Sequence, residues 1–262
     1  MCTLILYFRV FSDYPIVIAA NRDEVLARPS SKPSQLWGYP WVYGGQDLLA
    51  GGTWFGVNEH GVAVGILNRQ SSPPPDPSYR SRGQLCLDAL KHASAEAALR
   101  FVTRHSAYRY NPFNLVIADQ HFSYVVDNQG QADVLTTRQL SPGMYVVTNR
   151  TPNDQTCPRI ARVSPGFADI GKTFTAEPVS LPRLFSALHQ QMADHGDAGE
   201  GIRNGLCLHL EDYGTCSSTL VAYSSRSRSY HYYFAEGPPC RIPYSDVSLP
   251  PPTPASHPPS TK

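Results

Sequence analysis

Cys2 follows Met1 directly and opens an apolar run, Thr3-Leu4-Ile5-Leu6-Tyr7-Phe8. Removal of the first residue would leave a thiol and a free α-amine on one residue. A cysteine thiol has a reference pKa of about 8.5 and an α-amine one of about 7.7–8.0, so the amine can accept a proton near neutral pH. Nucleophile and general base then sit together, an arrangement that activates a weak side-chain nucleophile for attack on a carbonyl.

The segment able to face Cys2 is Ile16-Val17-Ile18-Ala19-Ala20, a second apolar run that follows the turn-like stretch Ser12-Asp13-Tyr14-Pro15. Two such runs read as a β-hairpin. A turn centred between Ser12 and Asp13 puts Cys2 opposite Asp23; a slip of one residue would put Arg22 or Glu24 there instead. In this register Asn21-Arg22-Asp23-Glu24 ends beside Cys2. The Asp23 carboxylate would hold the amine, and the Arg22 charge would favour a thiolate. Asn21, Arg22 and Asp23 therefore join Cys2 as candidate catalytic residues, with Glu24, Trp54 and Arg150 as candidate ligand contacts.

The composition excludes several classes of partner. Lys+Arg 22 against Asp+Glu 21 gives a net charge of +1, which is no electrostatic footprint for nucleic acid or an anionic membrane. No apolar run is long enough for a transmembrane helix, so no integral membrane segment is expected. The apolar start lacks a basic leader and is broken by Arg9, Asp13 and Pro15, a poor secretory signal. The 6 cysteines are scattered without a CxxC pair, as in a reduced, cytoplasmic protein. Cys207 and His209 are two apart, but no second pair with ligand spacing accompanies them, so no metal site is expected.

The elements that must position these residues come in blocks. Gly51-Gly52-Thr53-Trp54-Phe55-Gly56-Val57 reads as a Gly-rich strand, turning at Asn58-Glu59-His60-Gly61 into the apolar strand Val62–Leu67, which ends at Asn68-Arg69. Ser71–Ser78, with four prolines, reads as an exposed loop. Two amphipathic helices follow, the first pairing Cys86 with Leu90 and Leu85 with Ala89, the second capped by Ser94. Strands resume at Asn114–Ala118 and Ser123–Val126, with a turn at Asn128-Gln129-Gly130, and at Met144–Thr148, ending at Asn149-Arg150. A short helix after Pro158 and a longer one after Pro182 precede strands at Ser218–Ala222 and Tyr230–Phe234. Segregated helices and strands imply an α+β fold of antiparallel sheets with helical layers. One domain over residues 1–248 and a disordered Pro-rich tail, 249–262, complete the reading.

With these motifs in place, the chain resembles the NRDE family, called after the tetrad, which includes the eukaryotic transport and Golgi organisation proteins. The resemblance rests on Met1-Cys2, on Ala19 to Glu24 with Arg28-Pro29, on Gly51–Val57, on Phe113-Asn114-Leu115 and on Tyr213–Thr219. More distantly it resembles the N-terminal-nucleophile hydrolases of the penicillin V acylase and bile salt hydrolase group, which begin with Cys after Met removal and cut unactivated amides. That likeness implies a four-layer αββα sandwich. It also implies that Asn68 belongs to the oxyanion pocket and that Asn149, in a Thr148-Asn149 dipeptide, donates to the oxyanion. Two positions depart from the pattern: Ala20 stands where the hydrolases have Arg, and Cys216 where NRDE relatives often do. The positive charge around the thiol is then smaller or comes from elsewhere.

Two classes of function follow. One is a Cys2-dependent amidohydrolase or acyltransferase for an amide or thioester of a small molecule, with no cofactor required. The other is a carrier using the same pocket, with haem or an acyl-CoA or lipid as cargo, as the family resemblance implies. Haem ligands are commonly His, Cys, Met or Tyr, and Cys157-Pro158 is a weak haem-type dipeptide.

Overall fold

Apolar residues occupy even and odd positions of β1 (Thr3–Phe8) alike, so this strand buries both faces. Leu4, Leu6 and Phe8 point into one core, Ile5 and Tyr7 into another. A strand with two dry faces must lie inside a stack of layers, and the computed structural model has that form. It describes residues 2–70, 74–104, 110–128, 135–175, 178–196 and 204–251.

One sheet has six strands in the order β10 (Gly143–Val147), β1, β2 (Ile16–Val25), β11 (Tyr213–Ser224), β12 (Ser229–Ala235) and β13 (Ser245–Asp246). The other has seven in chain order: β3 (Ser34–Trp37), β4 (Val42–Gly44), β5 (Phe55–Asn58), β6 (Ala63–Asn68), β7 (Phe113–Ala118), β8 (Ser123–Asn128) and β9 (Thr136–Gln139). All pairings are antiparallel.

Helices α1 (Arg82–Ala89) and α2 (Ala95–Thr103) cover the seven-stranded sheet through Leu85, Ala98 and Val102. Helices α3 (Pro158–Thr173) and α4 (Leu181–Met192) cover the six-stranded sheet through Val163, Phe167, Leu184 and Leu188. The third core lies between the sheets, around Leu4, Ile18, Val57, Val116 and Tyr232. This is the expected αββα sandwich. No helix among the described residues is long and apolar enough to cross a membrane.

Several local expectations change. The strand placed at Gly51–Val57 begins only at Phe55: Leu48 to Ala50 form a turn closed by Gly51 N–H on the Asp47 carbonyl, Gly51 stands at φ 72°, and the chain stays irregular to Trp54. The helix after Pro158 is the longer of the late pair, 16 residues against 12, since it continues through Pro165. The tail is not free from its first residue: Leu249 packs on the inter-sheet core, and the Trp41 indole donates to the Pro251 carbonyl at 3.2 Å. Residues 252–262 lie outside the described residues, as do 71–73 of the Pro-rich loop and Gln129-Gly130 of the expected turn.

The turn between β5 and β6 holds as read, with Gly61 at φ 81°. Asn58 anchors it. Its amide donates to the Leu90 and His92 carbonyls at 2.7 and 2.8 Å, and its oxygen accepts from His60 and Val62 N–H, both at 3.0 Å. Asn58→Ala would leave four backbone groups in or near the core unpaired. Urea unfolding should show a loss of about 3 kcal/mol; a loss below about 1 kcal/mol would mean the turn holds without this side chain.

Candidate active site

β1 and β2 pair Thr3 with Asn21 and Phe8 with Ile16, so continuing the ladder places Cys2 opposite Arg22, not Asp23. The connection carries Arg9 at φ 51° and closes with Arg9 N–H on the Pro15 carbonyl, which centres the hairpin on Ser12 and moves the register by one. Strand alternation then divides the tetrad. Cys2 packs with the inter-sheet core, as even-numbered Leu4 and Ala20 do. Asn21 and Asp23 face the α3/α4 layer. The thiol still reaches Asp23, but through its backbone: Sγ lies 3.5 Å from the Asp23 carbonyl oxygen.

Arg22 is buried, its guanidinium 4.5 Å from the centre of the Trp54 ring. Gly45 makes room for that ring; a Cβ there would stand 2.4 Å from the indole. Arg22 therefore braces Trp54, and its Nη1 lies 3.5 Å from Ser30 Oγ. Burial pushes the Cys2 thiol above its ordinary value and the Asp23 charge adds to the rise; the Arg22 charge only partly offsets it. The expected thiolate is thus not the resting form, and a base is needed to make it.

Asp23 is held from three sides. Thr215 Oγ1 donates to Oδ1 at 2.7 Å, and Arg159 Nη1 lies 3.5 Å from Oδ2. Arg159 also donates to Thr3 Oγ1 at 3.0 Å, and Tyr213 Oη donates to the Asp23 carbonyl at 2.9 Å. Burial raises the carboxyl pKa, against the Arg159 charge and the Thr215 hydroxyl. A bulge in β11 at Cys216 sits between Thr215, opposite Asp23, and Ser217, opposite Arg22. It sets the strand so that Thr215 meets the carboxylate.

Arg159 supplies a buried charge that the sequence reading missed. The available signal was its place on α3: Arg159, Val163 and Phe167 recur at i, i+4, i+8, so a charge heads an apolar stripe. A charge there must have a buried partner.

Two cavities meet at Cys2 and Asn68. One, of about 540 Å³, is the more polar and includes Arg22, Glu24, Arg28, Trp54 and Arg82 in its wall. The other, of about 510 Å³, includes Asp23, Asn149, Arg159, Leu208, Leu210 and Tyr213. Asn149 is brought to the same opening by β10, the neighbour of β1 in the six-stranded sheet; continuing the β1–β10 ladder places it opposite Cys2. Its backbone carbonyl accepts from Gln70 N–H at 3.0 Å, while its side-chain oxygen is buried with no hydrogen-bond partner among the described residues. Asn114, from β7, clamps the carbonyls on either side of it: Nδ2 donates to Thr148 at 2.8 Å and to Arg150 at 2.7 Å. Arg69 in turn donates to Asn114 Oδ1 at 2.9 Å. The Phe113-Asn114-Leu115 motif is thus a clamp on the Asn149 loop.

Two expected site residues lie elsewhere. Asn21 is a structural bolt: its amide donates to the Met192 and Leu206 carbonyls at 2.9 and 2.8 Å, and its oxygen accepts from Ser218 Oγ. It lines neither cavity. Arg150 also lines neither and is exposed, contributing its backbone carbonyl to the Asn114 clamp. Glu24 lines the polar cavity and accepts from Val25 N–H at 2.9 Å. Cys157, of the haem-type dipeptide, is buried in the α3/α4 core at the start of α3.

A family model described as Transport and Golgi organisation 2 matches residues 1–236. The Transport and Golgi organization 2 homolog of Mus musculus is 32% identical over 259 residues, 85% of this chain and 86% of its own. The Homo sapiens homolog is 30% identical over 242 residues, 79% and 82% of the two chains. Among solved structures, the Caenorhabditis elegans ortholog of N-acylethanolamine-hydrolyzing acid amidase aligns with a TM-score of 0.57 at 16% identity, covering 84% of this chain and 92% of its own. A variant of conjugated bile acid hydrolase from Clostridium perfringens aligns at 0.56 and 12% identity, covering 94% and 92%. At such identities the solved structures establish a shared fold.

Two outcomes follow from these charges. An acid whose folded pKa lies above its unfolded one binds its proton more tightly when folded. Its contribution to stability is present below the unfolded pKa and lost as pH rises through the folded one. Arg159→Met removes a charge that restrains this loss. It should destabilise by about 3–5 kcal/mol at neutral pH, and the gap to wild type should narrow in acid; Arg159→Lys should recover much of it. A gap independent of pH would uncouple Arg159 from Asp23. Separately, the raised thiol means that iodoacetamide alkylation of Cys2 should still be accelerating at about pH 8.5, the ordinary thiol value. A plateau below that pH would contradict the raised thiol.

Proposed function

The chain belongs to the Transport and Golgi organisation 2 family, and from that premise we propose that it is an N-terminal-nucleophile amidohydrolase or acyltransferase. Cys2 is its nucleophile, and its substrate is an amide or thioester of a small molecule. The observation that carries the reading is the convergence, on one opening, of the Cys2 thiol with Asn68 and Asn149, two residues whose side-chain NH2 groups can donate to an oxyanion.

Once Met1 is removed, the Cys2 amine takes the thiol proton as Sγ attacks the carbonyl carbon. The C=O π pair moves to oxygen, and the Asn149 amide, with Asn68, donates to the oxyanion. Asp23, paired with Arg159, steadies the protonated amine. That ammonium then returns its proton to the leaving amine or thiol as the tetrahedral centre collapses to an acyl-Cys2 thioester. Water or an acceptor attacks the thioester by the same steps. Because the resting group is a thiol, the nucleophile forms only as the proton moves to the amine, so amine and thiol act as one unit. Two cavities suit a substrate of two parts, with the polar head towards Arg22, Glu24 and Arg82 and the less polar part towards Leu208 and Leu210.

A panel of N-acyl amides and acyl thioesters tests the reading. Turnover should vanish in Cys2→Ala, and an acyl group should be found on Cys2 by mass spectrometry of quenched reactions. Asn149→Ala should retain the fold and lose about 100-fold or more in turnover through loss of an oxyanion donor. Binding of haem or an acyl-CoA with unchanged affinity in Cys2→Ala, and no acyl-enzyme with any substrate of the panel, would instead support the carrier.

A further inference from the structure

Four metal-binding side chains that are far apart in the sequence come together on the α4 side of the six-stranded sheet. His195 follows α4, Cys207 and His209 precede β11, and Cys240 lies between β12 and β13. One ligand atom from each lies within 4.8 Å of all the others. Cys207 Sγ is 3.5 Å from Cys240 Sγ and 3.7 Å from His209 Nε2, and His209 Nε2 is 3.1 Å from Cys240 Sγ. The two imidazole rings stand 5.1 Å apart.

We propose that His195, Cys207, His209 and Cys240 form a structural zinc site. With Zn–S of about 2.3 Å and Zn–N of about 2.0–2.1 Å, the edges of a tetrahedron are about 3.4–3.8 Å, the range that these separations bracket. Two thiolates and two imidazoles are a donor set for Zn²⁺, and four protein ligands close the coordination sphere, as in structural rather than catalytic sites. One imidazole is already oriented. His195 Nδ1 is 3.0 Å from the Cys207 carbonyl, so an Nδ1–H donating there leaves Nε2 with its lone pair for metal.

The site is braced independently of any metal. Leu206 and Cys207 N–H donate to the Asp194 carbonyl at 2.9 and 2.8 Å, and Arg162 of α3 pairs with the Asp194 carboxylate. The residue between two of the ligands, Leu208, lines the less polar cavity beside Cys2. Its N–H donates to Thr215 Oγ1 at 2.9 Å, and Thr215 donates to Asp23. Bound zinc would therefore fix both a cavity wall and a hydrogen-bond chain that ends on the Asp23 carboxylate. The site stands whether or not Cys2 turns a substrate over.

The full chain, purified without a metal-binding tag under reducing conditions, loaded with ZnCl₂ and dialysed against metal-free buffer, tests this. Elemental analysis should find about one zinc per chain. Cys240→Ser and His209→Ala alter ligands at or near the surface and should keep the circular dichroism spectrum while losing most of the zinc. A chelator should lower the melting temperature of wild type and leave that of the variants unmoved. Co²⁺ in place of zinc should give the visible absorption of a tetrahedral thiolate site. Wild type that retains no zinc, equal zinc in wild type and both variants, or a Cys207–Cys240 disulfide as the stable state in reducing buffer would each overturn the proposal.

Discussion

Asp23 carries its carboxylate where almost no water reaches, and four segments must meet for that to be tolerable. β2 carries the group, β11 brings the Thr215 hydroxyl, α3 brings the Arg159 charge, and β1 brings Thr3 to orient Arg159. A buried ion pair is weak evidence for stability, since desolvating both partners costs about what their attraction returns. Its value lies in being intolerant of misplacement: removing either Asp23 or Arg159 strands the charge of the other. The pair therefore ties the helical layer to the end of the hairpin that presents Cys2, and it fixes the ground on which an amine at Cys2 would stand.

The alternation of a β-strand lets four consecutive residues serve two layers. Asn21 and Asp23 turn outward, where Asn21 bolts the α4 exit and Leu206 to the sheet and Asp23 meets Arg159. Arg22 and Glu24 turn towards the space between the sheets, where Arg22 lies on Trp54 and both line the polar cavity. A tetrad that reads as one motif is thus two structural devices with separate duties. Two of its members act near the thiol through what they hold in place rather than by touching it.

Much of this was legible because the two apolar runs at the start of the chain admit little besides a hairpin with two buried faces. Asn68 and Asn149 end strands of different sheets, and their convergence rested on family resemblance, which the cavities now set in geometry. The register could not be read, because one residue at positive φ in the Arg9–Pro15 connection moves it without changing the apolar pattern. Strands β3, β9 and β13 are short and largely exposed, so burial left no alternation to find. Arg159 was hidden by its position in a helix start that read only as a proline signal. The His195, Cys207, His209 and Cys240 cluster has no spacing motif, because three separate segments contribute to it and only folding brings Cys240 to the others.

The account turns on whether the amine beside the thiol is that of Cys2 itself. The intact mass of the protein, isolated in the form that shows acyl transfer, decides this most directly. The account predicts a mass lower than that of the full sequence by one methionine residue, with Cys2 as the first residue on sequencing. An active protein that retains Met1 would contradict it, because the proposed base would then belong to a different residue and the thiol would have no amine of its own.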